Sequence, residues 1–210
     1  MSSGQWAVVS GQFLVVSFWL LVVSGIGFWE WMDAMYVYCL FCRTQRCTRI
    51  AQLVEIRGVK RAFSPKILSK QRKQGVNVDT EHDLLPGYVF VFNDERLQGF
   101  ETFAGIDGVI RRVGKTETGY ELEGADRAFA LGLLEKDGKV GALKMVKVGE
   151  RVRLEDPLFE NSEGVITKID FRKERARVDF RFEGHECHVW VAVDGIRKAG
   201  SEQSSVNSGQ

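Results

Sequence analysis

Catalytic motifs are scarce in this 210-residue sequence, which contains only three histidines. It has no Gly-rich phosphate-binding loop and no plausible Ser-His-Asp set. A formal net charge of +1 argues against a surface coated uniformly with basic residues. The hydrophobic content of 44% is that of an ordinary globular protein, so most of the chain can bury a core. We therefore expect a folded binding protein that has no cofactor and is not an enzyme.

Cysteines are few and poorly arranged for a metal site. Cys39 and Cys42 form a Cys-x-x-Cys pair, but the surrounding sequence is typical of a strand. Residues three apart on a strand point to opposite faces, so these thiols cannot chelate one ion together. Two histidines near Cys187 could add ligands, although their spacing is equally a surface pattern. We predict no metal site, and reduced structural thiols in a cytoplasmic protein.

Charge is absent from residues 7–29, an apolar run long enough to span roughly 35 Å as a helix. The run has neither the basic segment before it nor the cleavage site after it that a signal peptide requires. Met32 and Met35 follow closely, and a strand pattern begins at Tyr36 without a preamble. We interpret residues 1–34 as a misassigned start, with a membrane segment as the alternative.

Residues 35–135 predict an α+β module in which an antiparallel sheet is flanked by helices. Its first helix has apolar residues at helical spacing, and Gly58 ends it. The predicted elements are a strand at Tyr36–Cys42, a polar turn at 43–46, a helix at Cys47–Ile56, a long hairpin at 62–78 with a polar tip, a strand at 88–92, a short helix at 95–103, a strand at 108–114 and a helix at 125–134.

One predicted strand is apolar on both of its faces. Tyr88, Phe90 and Phe92 fall on one face. Val89 and Val91 fall on the other face. Helices can cover one of these faces, and the second needs either another layer of the protein or a partner.

Acidic residues are missing between Ile56 and Val78, although the chain as a whole is nearly neutral. An acidic cluster at Asp79, Glu81 and Asp83 follows at once. This segregation predicts a localised basic arm. Its basic residues are Arg57, Lys60, Arg61, Lys66, Lys70, Arg72 and Lys73.

The C-terminal part predicts a small β-barrel at residues 147–199, preceded by a flexible Gly- and Lys-rich linker at 136–146. Residues 200–210 are expected to be a disordered tail. Strand patterns lie at 151–154, 164–170, 176–182 and 187–193. In the third strand the inward residues are Ala176, Val178, Phe180 and Phe182, and the outward residues are Arg177, Asp179 and Arg181.

Motifs in both halves resemble one family. Residues 38–44 (Tyr-x-x-Phe-Cys-Arg-Thr), a basic hairpin and residues 85–91 (Leu-Pro-Gly-Tyr-Val-Phe-Val) resemble the N-terminal domain of NusG-type transcription elongation factors. The C-terminal half resembles a KOW domain, an SH3-like barrel, at 147–154, 157–159 and 163–170. Together these motifs cover 35–198, and their detail is similar to specialised paralogues of the RfaH and LoaP kind.

The resemblance implies a transcription elongation factor that docks on the clamp helices of RNA polymerase through an apolar patch. It implies antitermination or suppressed pausing, at selected operons if the specialised character holds. Burial of the same side chains beneath the protein's own helices is the competing interpretation. The implied polymerase-binding residues are Leu85, Tyr88, Phe41 and Tyr38.

The resemblance also implies nucleic-acid contacts, because arginine and lysine suit phosphates and base edges. Three arginines after the first strand match positions that approach non-template DNA: Arg43, Arg46 and Arg49. The hairpin residues Lys66, Lys70, Arg72 and Lys73 are candidates for upstream duplex. Solvated surface charges are the alternative for both groups. The barrel is expected to grip a leader RNA hairpin through an outward basic set: Lys168, Arg172, Lys173, Arg175, Arg177 and Arg181.

Two rival functions stay open. One is a general elongation factor that couples polymerase to Rho or the ribosome through the barrel. The loop at 182–186 departs from the Phe-Gly-Arg form of the general family, which weighs against those partners. The other is a membrane-tethered nucleic-acid-binding protein, if residues 1–34 are genuine. In every case we expect a monomer.

Overall fold

The computed structural model of the protein describes residues 34–73, 76–97, 101–148, 151–154, 156–160 and 164–198. The elements below all lie in one compact unit. In chain order they are β1 (Tyr36–Cys42), a 3-10 turn (Thr44–Arg46), α1 (Cys47–Ile56), β2 (Arg61–Phe63), β3 (Lys66–Lys73), β4 (Val76–Asp83), β5 (Tyr88–Asn93), β6 (Val109–Val113), α2 (Gly124–Glu135), β7 (Lys139–Val140), β8 (Leu143–Val148), β9 (Arg151–Leu154), α3 (Pro157–Glu160), β10 (Val165–Asp170), a 3-10 turn (Phe171–Lys173), β11 (Arg175–Phe182) and β12 (His185–Lys198).

The N-terminal sheet has the strand order β2-β5-β1-β6, and its pairs are antiparallel. One face is covered by α1, which has buried residues at helical spacing. This helix ends where predicted, because Gly58 takes a positive φ of 95° and donates its N–H to Glu55 O at 2.9 Å. The α1-face cluster contains Tyr38, Leu40, Cys42, Cys47, Ile50, Ala51, Val54, Val59, Ala62, Val89, Val91, Phe103 and Ile106.

Gly87 brings β5 beside β1. Its φ is +91°, and a Cβ there would lie 3.1 Å from both Cys42 O and Phe41 Cε2. The close approach lets Cys42 N–H donate to Gly87 O at 2.7 Å. A side chain at this position would meet both the strained backbone and the neighbouring strand.

The β3–β4 hairpin differs from the prediction in where its return strand lies. We expected it to span 62–78, but β4 continues to Asp83. The register sets Lys70 opposite Asp79 and Lys66 opposite Asp83. The acidic cluster therefore lies beside the basic arm instead of following it, and it offsets part of the positive charge.

The predicted helix at 95–103 is not present in the described residues of that segment, which form bends and turns. Side chains bind backbone carbonyls within this segment and just after it. Arg57 Nη1 donates to Thr102 O and Ala104 O at 3.0 and 2.7 Å. Asn93 Nδ2 donates to Glu95 O at 2.8 Å.

The residues predicted as a flexible linker, 136–146, contain β7 and the start of β8. Val140, Leu143 and Met145 are buried there, which gives the segment an apolar side to pack. β7 pairs in parallel with β3, and β8 pairs in parallel with β12. The segment 136–146 therefore differs from the predicted free linker. Its two strand pairings join the N-terminal and C-terminal halves of the chain.

The C-terminal sheet has the order β10-β11-β12-β8-β9, and β9 and β10 at its two ends approach each other. The predicted inward set of β11 is buried, as the alternating pattern required. The predicted α+β class is confirmed, with mainly antiparallel sheets, few helices and a small C-terminal β region. The predictions for residues 1–33 and 200–210 lie outside the described residues.

Candidate functional site

The second face of the N-terminal sheet is lined by large side chains from neighbouring strands. Strand pairing sets Phe41 opposite Tyr88, and their ring centroids are 5.3 Å apart. The Arg111 guanidinium lies 5.6 Å from the Phe41 ring centroid. We call this surface the aromatic face, and its residues are Val37, Cys39, Phe41, Tyr88, Phe90 and Phe92.

The aromatic face is covered by α2 and by a strand of the C-terminal sheet. Phe182 of β11 packs edge-on against Tyr88 at 5.5 Å and against Phe90 at 5.4 Å, between centroids. Phe129 of α2 lies 6.3 Å from Phe90 and 5.8 Å from Phe182. These distances are in the range of favourable ring contacts.

A second layer of rings extends this cover. Phe180 stacks on Phe129 at 5.3 Å, and Phe159 of α3 lies 5.6 Å from Phe180. Lys136 at the end of α2 forms an ion pair of 3.0 Å with Asp156. The sequence predicted that the second apolar face of β5 needs a cover. Other parts of the same chain provide that cover.

The turn between β11 and β12 also contacts the N-terminal half. We call Glu183 and Gly184 the docking turn; both have positive φ, 51° and 73°. Glu183 N–H donates to Asp126 Oδ1 at 3.0 Å. Burial raises the pKa of the Glu183 carboxyl, and Asp126 raises it further, whereas the Gly114 N–H lowers it.

Two of the four predicted polymerase contacts meet on the aromatic face, and two do not. Phe41 and Tyr88 are neighbours there, and each is half-buried. Tyr38 is 2% exposed and lies in the α1-face cluster, where its hydroxyl accepts the Leu97 N–H at 3.0 Å. Leu85 is 4% exposed. Tyr38 and Leu85 are therefore buried in this structure, and their role in binding polymerase stays a prediction.

The arginines after β1 differ in how their charges are used. Arg46 forms an ion pair with Asp107, which offsets its charge. Arg43 and Arg49 are exposed, and neither has an ion-pair partner among the described residues. Their proposed nucleic-acid role stays a prediction.

The hairpin arm is partly neutralised at its base, where Lys66 pairs with Asp83. Lys139 and Glu81 form a further ion pair of 3.1 Å beside it. The side chains of Lys70, Arg72 and Lys73 lie outside the described part of the chain.

The outward basic set of the C-terminal sheet also contains both ion-paired and exposed residues. Arg177 pairs with Asp179 at 2.9 Å, so its charge is engaged. Arg175 lies 3.5 Å from Asp170 and places its guanidinium carbon 4.3 Å from the Trp190 ring centroid. The exposed cations of the set are Lys168, Arg172, Lys173 and Arg181.

Several site residues escaped the sequence reasoning. Phe129 showed only as an apolar helix position, and Phe159 only as part of a motif. Arg112 lies 4.0 Å over the Tyr120 ring without any sequence signal. Trp190 could have been noticed as the outward residue paired with Arg177 across the β11–β12 hairpin.

The thiols are buried on opposite sides of β1, as the strand pattern required. Cys42 and Cys47 lie in the α1-face cluster, whereas Cys39 lies on the aromatic face. Burial, followed by the neighbouring Cys47, raises the pKa of Cys42 to about 12. Burial raises the pKa of Cys39 well above its usual value. No group of three or more metal-ligating side chains occurs within the described ranges.

None of the helices in the described ranges combines the length and apolar character needed to cross a bilayer. The apolar run at 7–29 lies outside those ranges.

Curated proteins that are similar in sequence to this chain share one name. No protein-family model matches the chain. The transcription termination/antitermination protein NusG of Rickettsia conorii is 26% identical over 127 residues, 60% of this chain and 66% of that protein. The protein of the same name from Rickettsia typhi is 25% identical over the same length. The chain thus spans just under two thirds of the length of these curated relatives.

A solved structure described as "Domain interaction in Thermotoga maritima NusG" covers 77% of this chain and 96% of its own, with a TM-score of 0.46 and 20% identity. The sequence matches confirm the resemblance to NusG-type factors, whereas the similarity to specialised paralogues stays a prediction. The chain is therefore similar in sequence to curated proteins named NusG.

Proposed function

We propose that this protein is a transcription elongation factor that binds RNA polymerase through the aromatic face and acts without catalysis. One observation carries the proposal: this face, built around Phe41, Tyr88 and Phe90, is covered by Phe182 from a distant part of the chain. The names of the Rickettsia relatives support a role in transcription.

Aromatic residues suit a docking surface because they bury a large area with little loss of side-chain freedom. Phe41 and Tyr88 lie at the side of the cover and are only half-buried. An apolar strip of this kind can receive helices, such as the clamp helices of polymerase. The C-terminal sheet must move away for the partner to reach Phe90.

A covered docking face gives the factor a closed and an open state. The apparent affinity for polymerase equals the intrinsic affinity reduced by the open fraction. Binding to polymerase then depends on conditions that raise the open fraction of the factor. This dependence supports action at selected operons through antitermination or suppressed pausing. This is also the behaviour expected of a specialised paralogue of the RfaH or LoaP kind.

A general factor that couples polymerase to Rho or the ribosome is the second candidate. The termination/antitermination name of the Rickettsia relatives favours it. Such a factor acts on most transcripts, so a docking face that is normally covered would lower its occupancy. The affinity of the wild-type closed form for polymerase separates these two candidates.

Nucleic-acid contacts form the second part of the proposal. Exposed Arg43, just before the 3-10 turn, and Arg49, in the first turn of α1, would contact non-template DNA, whereas the β3–β4 hairpin would contact upstream duplex. The C-terminal sheet would bind RNA. We place the factor in the cytoplasm as a monomer; tethering to a membrane would require residues 1–34 to be genuine.

Polymerase binding tests the proposal directly. Phe41→Asp places a charge on the aromatic face and should weaken the affinity for purified cognate polymerase at least tenfold, and should abolish terminator readthrough. Ile56→Asp is the matched control, because Ile56 is 79% exposed at the end of α1. The control should stay within twofold of wild type. Equal binding by all three folded proteins would contradict the proposal.

A further inference from the structure

The 3-10 turn after β10 presents an aromatic side chain to solvent. Phe171 is 68% exposed, and both Arg172 and Lys173 beside it are exposed. The turn is held in shape at both ends: Asp170 Oδ1 accepts the Lys173 N–H at 3.2 Å, and Glu174 adopts a left-handed φ of 47°. Phe171 is thus displayed on an ordered turn.

A second ring lies on the outer surface of the sheet and is linked to this turn through Arg175 and Asp170. Trp190 is half-buried and carries the Arg175 guanidinium over its ring at 4.3 Å. Arg175 Nε is buried and has no hydrogen-bond acceptor among the described residues. Its contact with Asp170, at 3.5 Å, is long. Because Nε is buried, only the terminal N–H groups of this stacked guanidinium can meet an incoming phosphate or base.

The unpaired charges around these rings are mostly positive. Lys168 lies opposite Arg177 in the β10–β11 register, on the same outer surface. Among the described residues, Lys168, Arg172 and Lys173 form no ion pair. The acidic Asp170 is engaged by the turn and by Arg175. The surface therefore favours an anionic ligand.

Rings interspersed with free cations match the chemistry of single-stranded nucleic acid, in which bases stack on aromatic side chains and phosphates meet arginine or lysine. A duplex keeps its bases stacked inside and offers no free base face to Phe171. A protein partner would be expected to meet a larger apolar patch than one exposed ring.

We propose that the turn Phe171–Lys173, with Arg175 and Trp190, binds single-stranded RNA. Phe171 stacks on one base, and Arg172 and Lys173 contact the flanking phosphates. The inference deepens the RNA-binding part of the proposed function, which supports the choice of RNA over DNA, and it replaces a hairpin ligand with an unpaired strand.

The test uses the full chain and a fluorescein-labelled twelve-residue oligouridine, with fluorescence anisotropy as the readout. Phe171→Ala should weaken binding about tenfold, because one base–ring stack is lost. Phe171→Trp should bind like wild type, since it restores a ring. Ile56→Ala removes a comparably exposed apolar side chain on α1 and should change nothing. The double variant Arg172→Ala/Lys173→Ala should reduce the slope of log K against log salt by about 1.4.

Three results would overturn the inference. They are the absence of RNA binding at low salt, unchanged binding by Phe171→Ala, and tighter binding of double-stranded RNA or oligothymidine than of oligouridine. Polymerase is absent from the assay, so a failure here leaves polymerase docking intact, and a failure of polymerase docking leaves this site intact.

Discussion

The two faces of the N-terminal sheet are covered by different parts of the chain. On one face, α1 follows β1 almost directly and packs small aliphatic and cysteine side chains against it. On the aromatic face, the cover comes from α2 and β11, which lie far along the chain. The first cover is local, and the second is supplied by another region.

The difference shows which packing belongs to the core and which can act as an interface. Losing α1 would expose much of the sheet's own hydrophobic cluster and unfold the N-terminal half. Losing β11 would expose mainly rings, as at the surfaces of separable modules. We expect the aromatic face to open at a lower free energy than the α1 face.

Phe129→Ala should have the largest effect on stability. Phe129 contacts four rings, those of Phe90, Phe159, Phe180 and Phe182. Truncating a buried phenylalanine costs about 3–5 kcal/mol. Urea unfolding measures the loss, and Phe171→Ala should stay within about 0.5 kcal/mol of wild type as an exposed control. Equal losses of unfolding free energy in the two variants would show that Phe129 contributes no more to stability than a surface residue does.

Cysteine alkylation should separate the two faces in the same variant. Opening exposes Cys39, whereas Cys42 stays beneath α1. If Phe129→Ala destabilises the closed state by about 3 kcal/mol, Cys39 should alkylate about 100-fold faster than in wild type. Mass spectrometry of the labelled peptides reads both sites at once. Parallel acceleration of Cys42 would mean that the faces do not open separately.

Asp126→Ala should have a moderate effect on closure, because it removes the acceptor for the Glu183 N–H of the docking turn. A hydrogen bond to a charged group contributes about 1.5–3 kcal/mol, but relief of the repulsion between the two carboxylates offsets part of it. We expect a net loss of about 1 kcal/mol, measured as faster Cys39 alkylation. Slower alkylation of Cys39 than in wild type would show that Asp126 favours the open state instead of the closed state.

The smallest effect should be a pH dependence of closure. Burial and Asp126 raise the pKa of Glu183 in the closed state, against smaller opposing effects of the Gly114 N–H, Arg111 and His185. The closed state therefore binds the proton more tightly than the open state. Its added stability is present below the ordinary glutamate pKa and is lost as pH rises through the raised pKa.

Glu183→Gln removes the titrating group and should remove this dependence. The open fraction can be followed by NMR between pH 4 and pH 7, with wild type and variant compared at each step. An identical pH profile in both proteins would assign the effect to another group.

The strand alternation in the sequence predicted the two faces, because a period of two depends only on local residue order. It could not identify the cover of the aromatic face, since that depends on which distant segment folds back. Phe129 lies on a predicted helix and Phe182 on the inward side of a predicted strand, but the sequence did not predict that the two would pack against one another.

Other differences also arise from long-range packing. The register of the β3–β4 hairpin decides that Lys66 meets Asp83, and a run of like charges does not reveal it. Leu85 fits an apolar motif, but the motif does not reveal that its side chain is buried in this structure. The residues predicted as a linker became strands because Val140 and Leu143 found partners elsewhere in the chain.

We propose that the aromatic face binds polymerase and is closed by the C-terminal sheet. The most direct measurement compares the polymerase affinity of wild type with that of Phe182→Asp, which breaks the contacts with Tyr88 and Phe90. Protection of Cys42 from alkylation verifies that the N-terminal half stays folded. We predict at least tenfold tighter binding by the variant, because its open fraction rises. Unchanged or weaker binding with Cys42 protected would contradict the account.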